Sequence, residues 1–88
     1  MDRQNIFQDV VETIRSIDSQ VNHEALRLDD TPFRSYGIES LTLIRLAARL
    51  EDRYEIRITD ADAFAATSFQ RLVDLLVGKL AAAQAQAR

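Results

Sequence analysis

Ser40 is the residue whose surroundings point most directly to chemistry. It lies in the run Tyr36-Gly37-Ile38-Glu39-Ser40-Leu41. Gly37 can adopt backbone angles that other residues avoid, so the chain can turn sharply there. An apolar repeat at helical spacing starts directly afterwards and places Ser40 where loop becomes helix. The unpaired N–H groups and the positive dipole end of that helix favour an incoming phosphate. Glu39 adds a carboxylate beside the hydroxyl. It can hold a metal ion brought in with a phosphate substrate, or pair with a basic partner. The same serine also has a purely structural reading, because serine is a favoured helix N-cap and most serines there only cap.

Nothing nearby makes Ser40 a strong nucleophile in its own right. His23 is the single histidine, it reads as an exposed loop residue, and no second histidine is available as a base. A Ser–His–Asp hydrolase needs a far larger scaffold. There is no cysteine, which removes disulfides, thiolate metal sites and a cysteine nucleophile. The chain therefore offers no catalytic group and no metal site. Any reaction at Ser40 must be driven by another enzyme, and any thiol must come from an attached group.

Composition narrows the partners. The chain has 88 residues, 47% of them hydrophobic, with a formal net charge of -3. That suits one domain with one core over residues 1–88. A mildly acidic chain without a basic stripe is a poor match for nucleic acid, helix-turn-helix binding included. No apolar run approaches the roughly 18–20 residues of a membrane span. The first residues, Met1-Asp2-Arg3-Gln4-Asn5, lack the apolar stretch of a signal peptide. The expectation is a cytoplasmic monomer.

The elements that must hold Ser40 are helical. Two glycines, one proline and abundant Ala, Leu, Arg and Gln favour helix over strand. Ile6, Phe7, Val10, Val11, Ile14 and Ile17 make one stripe and predict a first helix over 3–18. A connection of about twenty residues follows, a length that is often functional. Val21, Leu26, Leu28, Phe33 and Tyr36 can anchor it to the core, and His23–Leu28 can form a short turn. A second helix is predicted over 40–54, with Leu43, Leu46, Ala47, Leu50 and Tyr54 inward and Arg53 in water. Its other side carries Leu41, Ile44, Arg45, Ala48 and Arg49, apolar groups among charges, which suits a docking surface. Glu55–Thr59 alternates like a strand but has no second strand to pair with, so it reads as an extended connector. A short third helix is expected from Asp60 to Ala66, with Ala61, Phe64 and Ala65 as its apolar side. Thr67 and Gln70 have the form of a capping box ahead of a fourth helix from about Ser68 to Leu80. Gly78 falls near its expected end, and 81–88 is expected to fray. The predicted fold is all-α, a four-helix bundle with three long helices, one short helix and a long first loop.

The stretch from Phe33 to Leu50 resembles the acyl and peptidyl carrier proteins of fatty-acid, polyketide and nonribosomal-peptide synthesis. The family motif is commonly Gly-hydrophobic-Asp-Ser-hydrophobic, matched here by Gly37-Ile38-Glu39-Ser40-Leu41. Phe33 and Tyr36 match the aromatic and apolar positions ahead of it. Ile56–Asp60 and Thr67–Phe69 resemble the family's entries into its last two helices. The resemblance implies that a separate phosphopantetheinyl transferase esterifies Ser40 with 4′-phosphopantetheine from coenzyme A, Gly37 and Glu39 flanking the site. The arm's thiol would carry acyl groups as thioesters. Leu41, Ile44 and Ala48, rimmed by Arg45 and Arg49, would meet acyl-loading, ketosynthase or condensation-type enzymes.

Two departures qualify the match. Glu39 stands where the family usually has Asp, a carboxylate on a longer arm. Thr42, Arg45 and Arg49 stand where bacterial fatty-acid carriers tend to be strongly acidic. The resemblance thus implies a stand-alone carrier of a specialised polyketide pathway, with partner patches that are acidic or neutral opposite the arginines. An aminoacyl carrier of peptide synthesis and an unmodified helical adaptor are the alternatives.

Overall fold

The computed structural model describes residues 2–86. They form three long helices and one short one: α1 (Arg3–Ile17), α2 (Ser40–Tyr54), α3 (Asp60–Ala65) and α4 (Phe69–Gln86). Among the described residues there is no β-strand, and no helix long and apolar enough to cross a membrane. The all-α bundle expected from the sequence is the fold found.

α1 starts at Asp2, whose carboxylate accepts the Gln4 N–H at 2.9 Å. It buries Ile6, Phe7, Val10 and Ile14. It stops one residue short of expectation, because Asp18 turns to extended backbone while its N–H still reaches the Ile14 carbonyl at 2.9 Å. α2 has the predicted bounds and buries Leu46, Ala47 and Leu50. Arg53, expected free in water, is tied to Asp9 of α1 at 2.9 Å. The Tyr54 hydroxyl donates to the same carboxylate at 2.7 Å. Burial, together with that carboxylate, pushes the Tyr54 phenol well above its usual range, so it stays a donor. Glu55 closes α2 in the left-handed region (φ 54°).

The centre of the bundle is Phe69, which is fully buried. Phe7 of α1 and Phe33 of the connection meet it edge-on, with centroids 5.5 and 4.8 Å away, and Tyr36 lies tilted against it at 5.8 Å. Edge-to-face rings contribute attraction beyond their area. The connection is thereby held at its far end by the same side chain that α1 packs on.

That connection contains two 3₁₀ turns, His23–Ala25 and Phe33–Tyr36. The first falls within the predicted turn; the second was not predicted. Val21, Leu26 and Phe33 are buried, and Leu28 and Tyr36 are half-buried against the core. Backbone bonds then fasten the segment to α4: Phe33 N–H to the Thr67 carbonyl at 2.9 Å and Gln70 N–H to the Asp29 carbonyl at 3.1 Å. Ser68, wholly buried, donates its hydroxyl to Asp30 at 2.7 Å and accepts the Arg71 N–H at 3.2 Å. Ser68 therefore caps α4, in place of the expected Thr67–Gln70 box. The Thr67 carbonyl is engaged by Phe33, and the serine one step on is the residue whose hydroxyl reaches the third helical N–H.

A full capping box does occur at α3, between Thr59 and Asp62. It sets the register of that helix and corrects the predicted face. Ala63 and Ala66 are buried, Ala61 and Ala65 are exposed, and Phe64 is 50% exposed. The two inward alanines lie against Phe33, Leu43, Ala47 and Leu72, where small residues let α3 come close. The predicted connector carries neither helix nor strand over residues 56–59 and reaches α3 through extended backbone at Thr59, but its first residue, Glu55, is left-handed and not extended. Its Ile58 is buried, and its Ile58 N–H donates to Glu51 Oε2 at 2.7 Å.

α4 passes through Gly78 and Leu80 and continues to Gln86. The helix thus runs six residues past the predicted end at Leu80, over alanines and glutamines that favour helix. Residues 87–88 of that predicted tail lie outside the described residues.

Candidate functional site

The 3₁₀ turn Phe33–Tyr36 ends at Gly37 in the left-handed region, φ 76°. The Gly37 N–H donates to the Arg34 carbonyl at 3.1 Å and the Ile38 N–H to the Phe33 carbonyl at 3.2 Å. A Cβ at Gly37 would meet nothing within 4 Å, so the backbone angle alone calls for glycine here. Ile38 then drops into the core at 4% exposure. Its burial pins the chain two residues before Ser40, an anchoring role the sequence reading did not assign to it.

Glu39 occupies the N-cap position of α2 in extended backbone, with no side-chain cap bond. Its carbonyl accepts the Leu43 N–H at 3.1 Å. Ser40 is the first helical residue and is exposed. The cap-only reading of the serine is thus corrected, since the cap position belongs to its neighbour. None of the side-chain hydrogen bonds found among the described residues involves Ser40 or Glu39. The hydroxyl is left pointing at no task inside the fold.

Beside it runs an open groove of about 500 Å³, lined by Phe33, Arg34, Ile38, Ser40, Leu43 and Phe64, with Pro32, Ala66 and Thr67. Three elements converge on it: the 3₁₀ turn, the start of α2 and α3. Arg34 and Phe64 are members that sequence reasoning missed. Phe64 looked like core on a helix too short for its period to be read, and nothing in the local pattern marks Arg34.

The predicted outer face of α2 is distributed as follows. Leu41 is 58% exposed, Arg45, Ala48 and Arg49 are exposed, and Ile44 is half-buried. Arg3, Arg53, Arg71 and Lys79 are ion-paired with carboxylates of other elements. No ion pair among the described residues includes Arg34, Arg45 or Arg49. His23, expected to be an exposed loop residue, is half-buried and lines a different groove, between α1 and the connection.

The carboxylates that fasten the scaffold sit below their usual range. The Ser68 hydroxyl and then the Arg71 guanidinium hold Asp30 down. Lys79 and then the Thr59 backbone do the same for Asp62, and Thr31 does it for Asp29.

An exposed alcohol on the first turn of a fixed helix, with an apolar groove alongside, has the features of a tethering point. A sequence model of the phosphopantetheine attachment site family matches residues 8–76, and the chain belongs to that family. It is 43% identical over 54 residues to the acyl carrier protein of the actinorhodin polyketide synthase of Streptomyces coelicolor, a match over 61% of this chain and 63% of that protein. That alignment thus spans less than two thirds of the relative. The solution structure of a 3-oxo-butyl acyl carrier protein, an intermediate mimic from the same synthase, superposes with a TM-score of 0.74 at 33% identity, over 88% of this chain and 92% of the other. The residues around Ser40 fit the family's prosthetic group: a free hydroxyl for its phosphate and an apolar channel beside it.

Proposed function

We propose that this chain is an acyl carrier protein of polyketide or related specialised biosynthesis, with 4′-phosphopantetheine esterified to Ser40. The observation that carries the reading is the position of Ser40: exposed, first in α2, at the mouth of the groove and inside the matched family region. The arm supplies the thiol that this chain lacks, and acyl groups would ride on it as thioesters. The chain's own residues hold and present. Gly37 and Ile38 fix the direction of entry into α2. The first N–H groups of α2 favour the negative phosphate. Forming the ester joins Ser40 Oγ to phosphorus and expels the nucleotide half of coenzyme A. The hydroxyl proton must go to a base of the transferase, since no side chain here stands ready to take it.

Partner enzymes are proposed to grip the outer face of α2 through Leu41, Ile44 and Ala48, with Arg45 and Arg49 at the rim facing acidic or neutral patches. Leu41 supports this most directly, because a leucine left 58% exposed beside the serine has apolar surface to offer a visitor. The partners would be a phosphopantetheinyl transferase and ketosynthase- or condensation-type enzymes.

Intact mass after incubation with coenzyme A and a promiscuous phosphopantetheinyl transferase tests the assignment. The wild-type chain should gain one arm, and Ser40→Ala should gain none while keeping its helical circular dichroism. An unmodified wild-type chain would sink the reading. In the same assay Leu41→Ala should load about tenfold more slowly, as a truncated apolar contact. An unchanged rate would remove Leu41 from the docking face.

A further inference from the structure

Arg34 is the one cation lining the groove beside Ser40 among the described residues. It is exposed, and its backbone is fixed. Its carbonyl accepts the Gly37 N–H at 3.1 Å, and Pro32, two residues before it, bridges to Ser68 at the start of α4. The guanidinium therefore rises from a rigid base, unlike an arginine on a loose loop. Four other cations are taken up by carboxylates: Arg3, Arg53, Arg71 and Lys79. Arg34 has no such partner among the described residues, although Glu39 stands nearby in sequence on the other side of Gly37. An anion placed on Ser40 would sit next to the Glu39 carboxylate, and beside the first N–H groups of α2 Arg34 is the one cationic side chain lining the groove that can offset that charge.

We propose that Arg34 binds the phosphodiester at the root of the arm on Ser40 and so lays the arm along the apolar groove. The planar guanidinium matches two phosphate oxygens at once. Tethering makes the contact intramolecular, so even a weak pair is populated. This rests on Ser40 being the attachment residue. Exposed ion pairs are weak, and the expected effect is a shift of about two- to fivefold in the bound population of the arm.

The test uses the loaded protein, with loading first confirmed by intact mass; failure to load would count against the Ser40 assignment and not against Arg34. The probes are the phosphorus resonance of the arm and the Arg34 Nε–H resonance in ¹⁵N-labelled protein. On loading, the Nε–H signal should move, and about 1 M salt should reverse the movement. In loaded Arg34→Gln the phosphorus signal should shift and sharpen as the arm is released, and Arg34→Lys should restore part of the wild-type position. Identical phosphorus shifts and linewidths in wild type and Arg34→Gln would overturn the proposal. Acetyl- and malonyl-loaded forms separate the two possible sources of anionic oxygen. An Nε–H movement equal in both supports the phosphodiester; a movement seen only with the malonyl carboxylate assigns Arg34 to the cargo and overturns the proposal as stated.

Discussion

At Gly37 the backbone takes φ 76° with open space around the missing side chain, so a substitution there acts through strain and not through a clash. Gly37→Ala should cost about 1–2 kcal/mol, and Gly37→Asn less, since asparagine tolerates the left-handed region. Urea denaturation of the two variants checks this; an alanine variant as stable as wild type would mean that the turn is not needed in that form. This residue was legible in the sequence, because a glycine directly ahead of a helical repeat leaves few other roles. Ser40 was legible as a helix start, but its capping role was not settled there. A cap depends on which residue first takes helical angles, a one-residue distinction that periodicity does not make. With Glu39 at the cap, Ser40→Ala should change stability by no more than about 0.5 kcal/mol, less than loss of a true cap.

Among the elements, α2 could be read to its ends, because fifteen residues give four turns of consistent burial. α3 could not. Six residues make less than two turns, and four alanines among them and just beyond leave the phase to be set by the Thr59–Asp62 box. The same limit hid the Phe33–Tyr36 turn, whose form follows from contacts with Phe69 and Thr67 far along the chain. Gly78 misled in the other direction. It was expected near the end of the helix, yet it lies well inside α4, exposed, with nothing within 4 Å of an added Cβ. Gly78→Ala should therefore stabilise the protein by about 0.5–1 kcal/mol, read as a higher urea midpoint. A lower midpoint would show that α4 needs the glycine.

Across the whole molecule, three carboxylates join segments distant in sequence or close a turn, and all three have folded pKa values below the ordinary 3.8: Asp29, Asp30 and Asp62. The unfolded chain takes up protons at these groups first as pH falls. Their stabilisation is thus complete above about pH 5 and is lost as pH drops through about 4 and below. Thermal melts should show a plateau at neutral pH and a decline in that acid window, and Asp30→Asn should flatten part of the decline. A melting temperature indifferent to pH down to 2 would contradict this. The pairs behind the effect, Asp30 with Ser68 and Asp62 with Lys79, cross from the connection to α4 and from α3 to α4. They were out of reach of local sequence patterns for that reason.

The ring of Phe69 has one more implication. Phe7, Phe33 and Tyr36 all lean on it, so the segment leading to Ser40 cannot slacken unless the middle of the protein slackens too. Whatever is hung on that serine therefore turns about a stationary pivot.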